Sequence, residues 1–142
     1  MFKHILLPTD GSEISSAMIR KCIAFAAENR AMVTGLHVLP VHRPAAATTR
    51  DDDEQYRRDS EAHGRLCLSE IELIAQDHGV PCKTVLTRND RPYEAILEAA
   101  REAGCDLICM ATHGHGGYQR KQLGSETEMV LFNSRLPVLV LR

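Results

Sequence analysis

The chain reads as an α/β fold: an open five-stranded parallel sheet, doubly wound, with helices on both faces. Three observations predict it. The strand candidates are continuous apolar runs, as strands covered on both sides require. These runs alternate with amphipathic helical segments in the order β-α-β-α-β-α-β-α-β. Right-handed crossovers then give an open sheet, which binds ligands at the carboxyl ends of its strands where the winding reverses.

Residues 3–7 (Lys-His-Ile-Leu-Leu) are the first strand, stopped by Pro8. Thr9-Asp10-Gly11-Ser12-Glu13 is turn chemistry, with Ser12 as helix N-cap and Glu13 in the first turn. Ile14, Met18, Cys22, Phe25 and Ala26 then recur along one face of a helix. Residues 32–39 are the second strand, ended by Pro40. Residues 42–51 have no core face and read as a loop. Asp51-Asp52-Asp53-Glu54 opens a longer helix that buries Cys67, Ile71, Ile74 and His78 and stops at Gly79. Residues 82–87 are the third strand. Pro92 starts a third helix, which buries Ile96, Leu97 and Ala100 and ends near Gly104. Residues 107–111 are a fully apolar fourth strand. A loop over 112–124 leads to a helix beginning at Ser125, and Val138–Leu141 is the fifth strand.

The 142 residues suit one domain with a full core. The formal net charge is −2, without the basic excess of a duplex-binding domain. With no Trp, and Phe and Tyr numbering three each, few rings are available to stack on single-stranded bases. Neither a nucleic acid nor a membrane is expected as partner, since no apolar run nears the ~18 residues of a bilayer span. Ile5-Leu6-Leu7 is too short for a signal peptide, so the expected location is cytoplasmic. The five cysteines are odd in number and form no C-x-x-C, so they are expected to be buried thiols.

Four of the nine glycines, Gly114, Gly116, Gly117 and Gly124, fall between the fourth strand and the last helix. Such a connection exposes backbone N–H groups and aims a helix N-terminus at its occupant, an arrangement suited to phosphate. Arg120 and Lys121 add positive charge. Ser125-Glu126-Thr127-Glu128 has the pattern of a capping box. The same residues are compatible with a plain turn and a cap. Neither common phosphate-binding glycine motif is present. Asp10, at the carboxyl edge of the first strand, suits a ribose hydroxyl or a metal, and equally the closing of a local turn.

The sequence resembles the universal stress protein family. The residues carrying the likeness are Ile5 to Ser12, Leu36-His37-Val38, Cys105 to Gly114, Gly124-Ser125 and Leu136 to Leu141. The likeness covers nearly the whole chain. It implies a Rossmann-like sheet with strand order 3-2-1-4-5. Nucleotide-binding members carry G-x2-G-x9-G-[ST], which Gly114, Gly124 and Ser125 match in register. Ala111 stands where the family has its first glycine, and Glu126 where it usually has an apolar residue. A carboxylate at 126 should repel polyphosphate unless it points to solvent.

By this resemblance Pro8, Thr9 and Asp10 border the adenosine, and Val38 meets the adenine edge through its backbone. Ala111 and Gly114 line the ribose and phosphate path, and Gly124 and Ser125 hold phosphate oxygens beside Glu126. The ligand implied is ATP or AMP, with Mg or Mn accompanying it near Asp10. The role implied is that of a stress-response sensor or regulator, a homodimer through residues 138–141. Two alternatives stay open: a member that binds no nucleotide and acts through protein contacts, and a weak ATPase. No catalytic residue is assigned. A phospho-receiver domain shares the winding, but the third strand lacks its terminal Asp. His37, His42, His113 and His115 lie near one edge, yet H-x-H in a loop is weak grounds for zinc, and no protein metal site is expected.

Overall fold

The computed structural model describes residues 1–11, 13–42, 49–111 and 124–142. Its elements are β1 (His4–Pro8), α1 (Glu13–Asn29), β2 (Met32–Leu39), α2 (Arg50–Asp77), β3 (Cys82–Arg88), α3 (Pro92–Ala103), β4 (Leu107–Ala111), α4 (Ser125–Asn133) and β5 (Val138–Leu141). The five strands form one parallel sheet in the order β3-β2-β1-β4-β5, as expected.

Side chains alternate across the sheet, as strand geometry requires. Ile5 and Leu7 pack with α1 and α2 through Ile19, Ile23, Leu68 and Ile71. Leu6 packs on the opposite face with Ile96 and Ala100 of α3 and Val130 of α4. The winding therefore reverses between β1 and β4. Their register covers only Ile5↔Leu107 and Leu6↔Ile108, whereas β1 stays paired with β2 as far as Pro8↔Leu36. β4 in turn stays paired with β5 as far as Ala111↔Leu141. Beyond Leu6 and Ile108 the two central strands have no register with each other. The sheet thus parts at its carboxyl end, where open α/β sheets take ligands.

Three helices end alike. After α2, Gly79 has φ 67°, its N–H bonds Gln76 O, and the Val80 N–H bonds Ala75 O. This is a Schellman ending, with Val80 buried as its hydrophobic contact. Gly104 and Cys105 repeat it after α3, and Arg30 and Ala31 after α1. Arg30 does so at φ 55°, without glycine.

Several boundaries differ from expectation. α2 starts at Arg50, because the Thr49 side chain caps it by accepting from the Asp52 N–H. His78 is exposed, not buried. The helix ends there, so His78 leaves the core-facing spiral and its ring donates to Ile74 O, while Val80 fills the place. β1 includes Pro8, and β3 runs on to Arg88. In α1, Ile19 and Ile23 are buried and Phe25 only half-buried. All five cysteines are unpaired, and four are buried. The expected cap Ser12 lies outside the described residues. Among those residues no helix is long and apolar enough to cross a membrane.

Candidate functional site

β1 delivers Pro8, Thr9 and Asp10 to the carboxyl edge. The Thr9 N–H bonds Leu36 O at 2.9 Å, carrying the β1–β2 ladder one residue further. Thr9 Oγ1 accepts the Gly11 N–H at 3.2 Å and closes the turn. Gly11 sits at φ 82°, where an L side chain is strained. A Cβ there would lie 2.5 Å from Cys67 Sγ and 2.9 Å from His63 Nε2, so α2 presses directly on the turn.

His37 supports the same turn from β2. Its Nδ1 donates to Thr9 O at 3.0 Å, which assigns the proton to that nitrogen. Its ring meets His63 edge-on, with centroids 5.9 Å apart. Burial pushes the His37 pKa down. The bond to Thr9 and nearby Asp10 oppose this, and His63 adds to it. Gly64 lets α2 approach, since a Cβ there would stand 2.8 Å from the His37 ring. Sequence reading missed His63 and Gly64. A glycine inside a long helix is the usual trace of close packing, and Gly64 carried that trace. His63 carried none.

β4 ends at Ala111, whose carbonyl accepts the buried Thr127 hydroxyl at 2.9 Å. This bond ties α4 to the parting of the sheet. Gly124, not Ser125, is the N-cap, and it makes no side-chain cap bond. Ser125 is the first helical residue and is exposed, so the expected capping box does not form. Its register is off by one: Glu128 N–H bonds Gly124 O. The Glu126 carboxylate accepts the Tyr93 N–H at 2.8 Å, at the start of α3. It points neither to solvent nor away from the protein, but into a neighbouring helix end.

On the far side, half-buried Val38 of β2 pairs with Thr87. Asp90 gathers the Val41 and His42 N–H groups and the His42 ring. The His42 contact chiefly holds the Asp90 carboxyl below its usual range. Together these bonds fix the chain as it leaves β2.

Pro8, Thr9, Asp10, Val38, Ala111, Gly124, Ser125 and Glu126 therefore all lie along one edge of the sheet. Gly114, Gly116, Gly117, Arg120, Lys121, His113 and His115 lie outside the described residues. Among the described residues no group of three His, Cys, Asp or Glu side chains could hold a metal ion.

Fold and edge together define an open α/β sheet that parts at its carboxyl side, the place where folds of this class take ligands. The chain belongs to the universal stress protein family, whose model matches residues 1–142. It is 34% identical over 146 residues to a universal stress protein of Thermus aquaticus, covering all of both chains. It is 31% identical to universal stress protein MJ0531 of Methanocaldococcus jannaschii, covering all of this chain and 83% of that one. The solved structure of MJ0577, from the same archaeon, superposes with a TM-score of 0.82 at 30% identity, over 99% of this chain and 96% of that one. Two more distant structures share the fold: a universal stress protein in complex with cAMP and one from Archaeoglobus fulgidus in complex with dAMP. Their TM-scores are 0.73 and 0.65, at 21% and 17% identity; each covers at least 99% of this chain, and 97% and 98% of theirs.

Proposed function

We propose that this protein binds an adenine nucleotide, ATP or AMP, at the carboxyl ends of its strands and serves as a stress-response sensor or regulator. The observation that carries the reading is the parting of β1 and β4 beyond Leu6 and Ile108. The Thr9–Gly11 turn and the N-terminus of α4 flank that parting. A nucleoside entering there meets Pro8, Thr9 and Asp10 on one side and Ala111 on the other. Val38 offers backbone groups to the base. Gly124 and Ser125 begin α4, whose free N–H groups suit phosphate oxygens. Gly114 belongs to the same proposed path. That two proteins of this fold are in complex with cAMP and with dAMP supports the ligand class.

A divalent metal, Mg or Mn, would arrive on the nucleotide's phosphates, with Asp10 supplying a carboxylate. Binding and signalling are the proposed roles, with ATP hydrolysis at most slow. No general base for water is assigned. The proposed location is the cytoplasm, in keeping with five unpaired cysteines. We further propose a homodimer through Val138–Leu141.

The test is direct. Purified protein is denatured and the supernatant run on nucleotide chromatography, and emptied protein is titrated calorimetrically with AMP and ATP. A released adenylate, or saturable heat, is expected. An empty supernatant together with no heat from either nucleotide overturns the reading.

A further inference from the structure

Glu126 is the second residue of α4, two positions past the N-cap Gly124. Its Oε2 accepts the Tyr93 N–H at 2.8 Å. Tyr93 is the second residue of α3, and the N-cap of that helix, Arg91, makes no side-chain cap bond. The Glu126 carboxylate therefore does the work of the missing cap across two helices. One consequence is positional: the half-buried carboxylate is anchored to the start of α3.

The second consequence is electrostatic. A helix N-terminus is equivalent to about half a positive charge. The first turn of α4 holds two carboxylates, Glu126 and Glu128. Their formal charge exceeds that of the helix end, even when the half charge of the α3 end that Glu126 caps is added to it. A phosphate brought to the Gly124 and Ser125 amides thus meets a terminus already countered by its own first turn, with the carboxylate of the next residue, Glu126, held in place by the Tyr93 N–H. The penalty grows with each charge on the ligand. A cyclic phosphodiester meets least of it, a nucleoside monophosphate more, and a free triphosphate most.

We propose that the anchored Glu126 carboxylate sets the ligand class of this site, favouring adenylates of low charge over free ATP. The proposal rests on the adenine-nucleotide reading above. A purely structural Glu126, serving only to cap α3, would influence stability and leave the choice of ligand alone.

The experiment is calorimetric titration of wild type and Glu126→Gln with adenosine, AMP and metal-free ATP, at low and at high salt. The glutamine keeps an oxygen to accept the Tyr93 N–H while removing the charge. Wild type is expected to bind AMP roughly tenfold tighter than free ATP at low salt, and E126Q to shrink that ratio to about twofold. High salt should shrink the wild-type ratio as well, a readout that needs no folded variant. A wild type that binds free ATP as tightly as AMP overturns the proposal. So does a ratio unmoved by E126Q, whatever salt does to it. If adenosine, AMP and ATP all fail to bind wild type, the nucleotide reading falls and this proposal with it. If they bind and the ratio does not move, only this proposal falls.

Discussion

At the scale of single residues, Gly11 does two jobs that no other residue type does. It supplies φ 82° after Thr9-Asp10, and it leaves room for Cys67 and His63. Gly79 does only the first, since nothing lies within 4 Å of its absent Cβ. The two therefore form a controlled pair. Gly79→Ala should cost about 1 kcal/mol from the left-handed backbone alone. Gly11→Ala should cost about 2–4 kcal/mol, because overpacking adds to the strain. It should also weaken adenylate binding, since the displaced turn carries Thr9 and Asp10. Urea denaturation of the two variants side by side checks this. Equal losses would show that the Gly11 contacts carry no energy. Such contacts were invisible beforehand: Thr9-Asp10-Gly11 reads as a turn from its residue types, but the helix pressing on it comes from over fifty positions away.

At the scale of elements, the sheet's period and its edges follow different rules. Strand positions were legible from apolar runs, unbroken in β4 and β5 and interrupted by Thr34, Gly35 and His37 in β2, and all three have the expected limits. Helix ends were legible where glycine marked them, at Gly79 and Gly104, and not at Arg30, which takes the same conformation with a side chain that gives no warning. α4 starts at Ser125 as expected, but its cap misled by one residue, since Ser-x-x-Glu marks a capping box only if the serine is the cap, and here Gly124 takes that place. The edges of the sheet carry a prediction. β3, at one edge, includes Lys83 and Arg88, the kind of charge that discourages strand addition. β5, at the other, is Val-Leu-Val-Leu with no charge, and Phe132 on the preceding helix is 90% exposed. A second copy related by a two-fold axis would cover both features antiparallel and self-complementary. Light scattering should therefore give twice the chain mass at micromolar concentration, and Val140→Lys should return a monomer. A monomeric wild type would refute the dimer.

At the scale of the whole molecule, burial sets how stability responds to pH, because groups of opposite type are shifted at opposite ends of the range. His4 and His37 both have folded pKa values below 6.5, chiefly through burial. The unfolded chain therefore takes up their protons first. Their contribution is complete above about pH 6.5 and is lost as pH falls toward the folded values. Asp106 acts further down. Burial would raise it, but the Lys3 and His4 N–H groups outweigh burial and hold it below 3.8, so its contribution disappears only in strong acid. The thiols bound the other side. Burial raises Cys105 from 9.0 to about 11, and Cys67 and Cys82 shift the same way. Stability from these groups is intact below pH 9 and lost as pH climbs beyond it. The expected profile of the urea midpoint is a plateau between about pH 7 and 9, with a fall on each side. His37→Asn removes one titrating ring and should flatten the acidic limb between pH 7 and 5, leaving the alkaline limb as it was. A midpoint that holds constant from pH 8 to pH 5 in the wild type would contradict the assignment. So would an acidic limb of equal steepness in the variant, which would move the burden from His37 beneath the Thr9 turn to His4 at the opposite end of the sheet.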